Sequence, residues 1–154
     1  MNELMEYRRN LIERLNEAAR EFRSACEAVR DPSSPVEQGW NVHQLAAHTR
    51  DVDRLVYGLR VQGTVEMDNP EFKNFDADAW AAEQYDSNEP MQKILDEFTV
   101  SVSDLVEFLR GLPPEAWSRE SRHETLGSGF TMQAWVERGL AHIEEHLGTV
   151  KKAK

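Results

Sequence analysis

Residues 131–154 read TMQAWVERGLAHIEEHLGTVKKAK, and the fold is read outward from them. Met132, Val136, Leu140, Ile143, Leu147 and Val150 recur in steps of four and three, which lays an apolar stripe along an α-helix from Thr131 to about Lys152. Thr131 is a good N-cap, and Phe130 and Trp135 are placed for a hydrophobic staple. At about 100° per residue, Trp135, Gly139, His142 and His146 fall on a line beside that stripe. Two imidazoles one turn apart at the border of a core face can share one metal ion, given a third ligand from elsewhere.

That third ligand is sought in GWNVHQLAAHTRDVD, residues 39–53. Asn41 followed three residues later by Gln44 is a capping box, and Trp40 stands where it can staple onto Leu45. In the helix that follows, Leu45, His48, Val52, Leu55, Val56 and Leu59 share one face. His48 lies in the middle of the stripe, and Asp51 sits one turn later at its edge. His43 lies about 140° round the helix and is expected to face solvent.

The rest of the chain supplies scaffold. Leu11, Leu15, Ala18, Phe22, Ala25 and Val29 form the seam of a first helix from about Asn2 to Arg30, ended by Asp31-Pro32-Ser33-Ser34-Pro35. Met91, Leu95, Phe98, Val102, Leu105 and Leu109 mark a third helix from about Asn88 to Arg110, stopped at Gly111-Leu112-Pro113-Pro114. Between helices two and three runs a long connection, from Gly63 to about Ser87, in which Asp76 or Asp78 can cap a short helix. Its aromatic residues Phe75, Trp80 and Tyr85 are expected to fold back on the bundle, over one end or as the wall of a pocket with Trp135 and Gly139. A short hairpin fits within Glu120–Phe130, and His123 falls in that connection as a surface residue or a proton carrier. Four long amphipathic helices make this an all-α chain, a four-helix bundle of up-down-down-up type in one domain spanning residues 1–154.

Composition narrows the function. A net charge of −10 argues against a nucleic-acid backbone as partner, and no apolar run approaches a membrane span. The first residues lack the apolar core of a signal peptide, and the single cysteine, Cys26, allows no intrachain disulfide. Both observations lead us to expect a cytoplasmic protein. Cys26 lies beside the seam of helix one without a neighbouring histidine, as a small buried hydrophobe does.

His48, His142 and His146 are thus the candidate metal ligands, with Asp51 the expected partner of a ring from outside the ligand set and Glu145 a weaker one. Three neutral imidazoles leave coordination positions open for water or substrate. Zinc is the simplest metal for three nitrogens; nickel, iron and cobalt stay open. The pattern assigns no catalytic side chain. It also fits a non-catalytic metal- or ligand-binding bundle, such as a stress-response accessory or sensor, and a structural homodimer whose histidines are core hydrogen-bonders.

The segments GWNVHQLAAHTRDVD, NFDADAWAAEQYDSNEP and LRGLPPEAWSRESRHETLGSGFTMQAWVERGLAHIEEHLGTV, in this order and spacing, resemble the DinB/YfiT-like superfamily of four-helix-bundle proteins along essentially the whole chain. The resemblance implies that the family's three metal-binding histidines fall on His48, His142 and His146. Many relatives carry a glutamine soon after the last histidine, where this chain has Gly148-Thr149. The resemblance further implies a divalent metal cofactor, a small-molecule substrate and, by analogy with family enzymes, S-transfer from a low-molecular-weight thiol co-substrate.

Overall fold

The helices start where side chains satisfy their first free N–H groups. In the computed structural model, which describes residues 2–153, Asn41 Oδ1 accepts from the Gln44 N–H at 2.7 Å and Gln44 Oε1 accepts from the Asn41 N–H at 2.9 Å. This capping box opens α2 (Val42–Val52). Asn2 caps α1 (Glu3–Ala28), Asp76 caps the short α4 (Ala77–Gln84) and Thr131 caps α6 (Met132–Lys151), each by accepting one backbone N–H without the reciprocal bond. α5 (Met91–Arg110) begins at the first residue of its apolar pattern and not at the expected Asn88, because Pro90 holds extended backbone immediately before it.

α2 does not stop at Val52. A π-helical stretch, Asp53–Gly58, carries it into α3 (Leu59–Glu66), so one rod runs from Val42 to Glu66. The connection therefore starts after Gly63, not at it. Gly63 lies inside the rod, where a Cβ would come within 3.0 Å of the Phe72 ring. The π-turn also changes which side chains face inward. Leu59, expected on the core stripe, is 54% exposed, while Arg60 and Val61 are buried instead. An i→i+5 turn inserts an extra residue and rotates everything after it. Gly58 permits this, since a Cβ there would stand 2.9 Å from the Asp53 carbonyl oxygen.

Cross-helix pairs fix the topology. Tyr7 pairs with Glu137 and Arg14 with Glu144, so α1 and α6 run parallel. Arg8 reaches the Pro114 carbonyl while Arg23 reaches Asp96, so α1 and α5 are antiparallel. Arg50 bonds Glu97 and Asp53 bonds Ser101, so α2 and α5 are parallel. His48 meets His142 and Arg60 covers Trp135, so α2 and α6 are antiparallel. The bundle is up-down-down-up, as expected. Phe22 and Phe98 meet edge-to-face at 5.3 Å among fully buried Leu15, Ile94, Leu95 and Ile143. Each such side chain contributes about 1.5–3 kcal/mol by leaving water.

Small β elements close the two ends. β1 (Pro35–Glu37) and β2 (Trp40–Asn41) form a hairpin whose turn holds Gln38 and Gly39 at positive φ. β3 (Glu71–Phe72), β4 (Glu120–His123) and β5 (Gly127–Thr131) form a sheet in that order, parallel then antiparallel, with β4–β5 the hairpin foreseen within Glu120–Phe130. Among the described residues no helix is long and apolar enough to cross a membrane.

Candidate metal centre

Because α2 and α6 are antiparallel neighbours, the inward face of one presents His48 to the line of His142 and His146 on the other. His48 Nε2 lies 3.1 Å from His142 Nε2, which lies 3.0 Å from His146 Nε2. All three ligand nitrogens fall within 4.8 Å of one another, and among the described residues no cysteine, carboxylate or further histidine joins the group. The rings are held by packing: Trp40 stands edge-on to His48 at 5.0 Å, and Tyr57 lies 5.7 Å from His142.

The protonation states follow from burial. Desolvation, then the neighbouring His146, pushes the His48 pKa down to about 4. Desolvation with both neighbours takes His142 to about 3, and desolvation also lowers His146. All three rings are neutral near pH 7 and offer lone pairs. Three neutral nitrogens facing one another cannot all be satisfied by sharing N–H protons. The Nδ1 atoms of His142 and His146 are moreover buried without any hydrogen-bond partner. A cation at the meeting point would use all three Nε2 lone pairs. With two of the separations at 3.0 and 3.1 Å and all three within 4.8 Å, the lone pairs are close enough for one cation to take them all. The donor set fits a divalent metal.

Beside the triad a cleft of about 510 Å³ opens between α2 and α4. Trp40, Gln44, His48, Asp51, Phe75, Trp80 and Tyr85 line it, so the connection does wall a pocket. A smaller recess of about 190 Å³ adjoins it, where Glu37, Asp78 and Glu145 surround His48 and His146. Asp51 was expected to orient an imidazole and does something else. Its carboxylate accepts from Trp80 Nε1 at 3.1 Å and from Arg50 Nε at 2.9 Å, which fastens α4 to α2, and it acts on His48 only through its charge.

Trp135 and Gly139 lie outside the cleft. Trp135 is fully buried, stacked on Phe130 at 4.8 Å, with Nε1 donating to Ser121 Oγ at 2.7 Å. Gly139 instead gives Tyr57 room, since a Cβ there would stand 3.1 Å from Tyr57 Cβ. His43 does not face open solvent: α4 and the loop after it fold over it, so Nδ1 meets the Tyr85 hydroxyl at 2.5 Å and Nε2 the Glu89 carbonyl at 2.7 Å. His123, expected at the surface, is buried on β4 at 6% exposure. Tyr57, Glu37 and Asp78 are neighbours of the triad that no sequence pattern marked. Tyr57 reaches it only through the π-turn.

Comparison with known proteins places the fold. YfiT from Bacillus subtilis, described as "a probable metal-dependent hydrolase with an unusual four-helix bundle topology", is similar in structure. Its TM-score is 0.86 at 20% identity, over 99% of this chain and 87% of that one. No curated protein sequence matches the chain. The family model described as DinB superfamily matches residues 8–150. With almost the whole sequence matched, the chain belongs to the DinB superfamily.

Proposed function

We propose that the protein is a metal-dependent enzyme acting on a small molecule, with His48, His142 and His146 holding a divalent cation through their Nε2 atoms. The observation that carries this reading is the convergence of three neutral Nε2 atoms, with no fourth protein ligand among the described residues, next to the cleft under α4. When bound, the cation supplies Lewis acidity, which lowers the pKa of a water or thiol and polarises an electrophile. The remaining parts belong to the chain. Phe75, Trp80 and Tyr85 wall the cleft and keep bulk water from the rings; Glu37, Asp78 and Glu145 stand at the recess, where a carboxylate can take a proton from the nucleophile. Hydrolysis is the reading supported by the description of YfiT.

Thiol S-transfer is a second reading of the same site. Cys26 is buried, and desolvation raises its pKa to about 12, so any thiolate comes from outside the chain. Metal analysis of protein purified without a histidine tag tests the common claim: about one divalent ion per chain is expected, lost in His48→Ala and in His142→Ala. Full metal content in those variants overturns it. With cobalt loaded, a new charge-transfer band on adding a small thiol favours S-transfer, and an unchanged spectrum favours water as the nucleophile.

A further inference from the structure

A second cluster of polar side chains surrounds Trp135, where α3 packs on α6 near the three-stranded sheet. The Arg60 guanidinium covers the Trp135 ring at 4.7 Å, and that of Arg138 lies 5.9 Å from the same ring and 5.1 Å from Phe130. In a chain with 28 acidic and 18 basic residues, carboxylates are in excess. Yet among the described residues neither guanidinium forms an ion pair. Arg60 is only 9% exposed, and its one carbonyl partner is Lys73 O at 3.1 Å. Buried cations are ordinarily paired. Burial, with the Arg138 charge added, holds the Arg60 pKa below its usual value.

His123 sharpens the point. Its Nδ1 accepts from the Thr125 and Leu126 N–H groups, both at 3.2 Å, so the neutral ring carries its proton on Nε2. That Nε2–H faces Arg60 Nη2 at 3.4 Å. Two donors therefore point at each other with no acceptor between them. An acceptor oxygen placed beside the pair would take a hydrogen bond from each donor.

Resting on the metal-centre reading above, we propose that Arg60, Arg138 and His123 form an oxyanion subsite, which takes a carboxylate or phosphate of the same small molecule whose reacting atom lies at the histidine triad. A guanidinium pairs with either anion through two parallel N–H···O bonds. The distance suits a small substrate: Arg138 is one turn before His142 and Trp135 two turns, about 6 and 10 Å along α6. Tyr57 spans the interval, with its ring 5.7 Å from that of His142 and its hydroxyl in the field of both arginines.

Protein stripped of metal with EDTA is titrated with succinate, inorganic phosphate and neutral succinamide, followed by calorimetry and tryptophan fluorescence. Saturable binding of succinate or phosphate, none of succinamide, and weakening with added salt are expected. Which anion binds tells carboxylate from phosphate substrates. Arg138→Gln, an exposed site that leaves the core untouched, should weaken binding at least tenfold. Arg138→Lys should weaken it less, and His142→Ala should leave it unchanged. Absence of binding by both anions, or equal binding in Arg138→Gln, overturns the subsite. Binding lost in His142→Ala but kept in Arg138→Gln places the anion at the triad and also overturns it. Should the protein carry no stoichiometric metal while binding still depends on Arg138, the subsite stands and the metal reading alone fails.

Discussion

Each histidine of the triad is held at a cost to the folded chain, and the cost is measurable. His142 is buried with Nδ1 unpartnered, and an unsatisfied buried polar group costs about 1–3 kcal/mol. Replacing His142 by leucine removes that penalty at similar volume. The metal-free variant should be more stable than metal-free wild type by about 1 kcal/mol in urea unfolding, while losing metal binding. A loss of 3 kcal/mol instead would mark the ring as a structural hydrogen-bonder. Protons probe the same feature. His48 and His142 titrate near 4 and 3 when folded, against 6.5 unfolded. Below pH 6.5 the unfolded state binds more protons, so stability falls as pH drops towards 4, by about 1.4 kcal/mol per pH unit for each ring. Asp53 opposes this: burial raises its pKa to about 6 from 3.8, so it favours the folded state as pH falls through that range. Two rings outweigh one carboxyl. The metal-free midpoint in urea should drop between pH 6.5 and 4.5, and the drop should shrink in His142→Leu. A flat profile would show the rings to be hydrated.

At the scale of elements, α4 stands out as a helix that contributes no buried residue, so little apolar burial holds it in place. Two polar bonds fasten it to α2: Trp80 Nε1 to Asp51, and Tyr85 to His43 just beyond its end. Trp80→Phe keeps the wall of the cleft and removes one fastening. Hydrogen exchange should then rise several-fold across Ala77–Gln84 while α1 and α5 stay protected, since local opening draws on few contacts. Equal exchange in both proteins would mean that packing on Phe75 suffices. How far such elements could be read from sequence depended on what sets them. Asn41 and Thr131 announced their helices, and Asp76 or Asp78 a third, because capping is local chemistry. The triad was legible because His48, His142 and His146 obey a 3.6-residue period on rods that start at those caps. The π-turn broke that period: Asp53–Gly58 turns Arg60 inward and Leu59 outward, and only the packing of Tyr57 against Gly139 shows why. His43 and His123 were misplaced because loops distant in sequence cover them, and no helical period reports that. Gly139→Ala tests the packing. The added methyl must push Tyr57 by a few tenths of an ångström, and we expect about 1 kcal/mol of destabilisation with weakened metal binding, read by urea unfolding and metal titration.

For the molecule as a whole, the triad joins rods that the chain connects only through a long excursion. His48 and His142 are 94 residues apart in sequence, and the α4 cover, α5 and the three-stranded sheet all lie between them. A metal ion held by the triad would act as a cross-link between α2 and α6, and it would bind a geometry that the unfolded chain does not present. Stabilisation by a ligand specific to the folded state is set by mass action, about 4.1 kcal/mol at a free concentration a thousandfold above Kd. In a chain of this size each kcal/mol moves the melting midpoint by roughly 2–4 °C. Metal-loaded protein should therefore melt roughly 8–16 °C above the chelated form, and the interval should close in His142→Ala. Arg138→Gln should leave the interval intact, because its guanidinium lies towards the sheet end of α6 and touches none of the three rings. Chelation that leaves the midpoint of metal-loaded wild type unmoved would show that the imidazoles tie the bundle together without an ion, as core hydrogen-bonders, and the open cleft beside them would then need another chemistry.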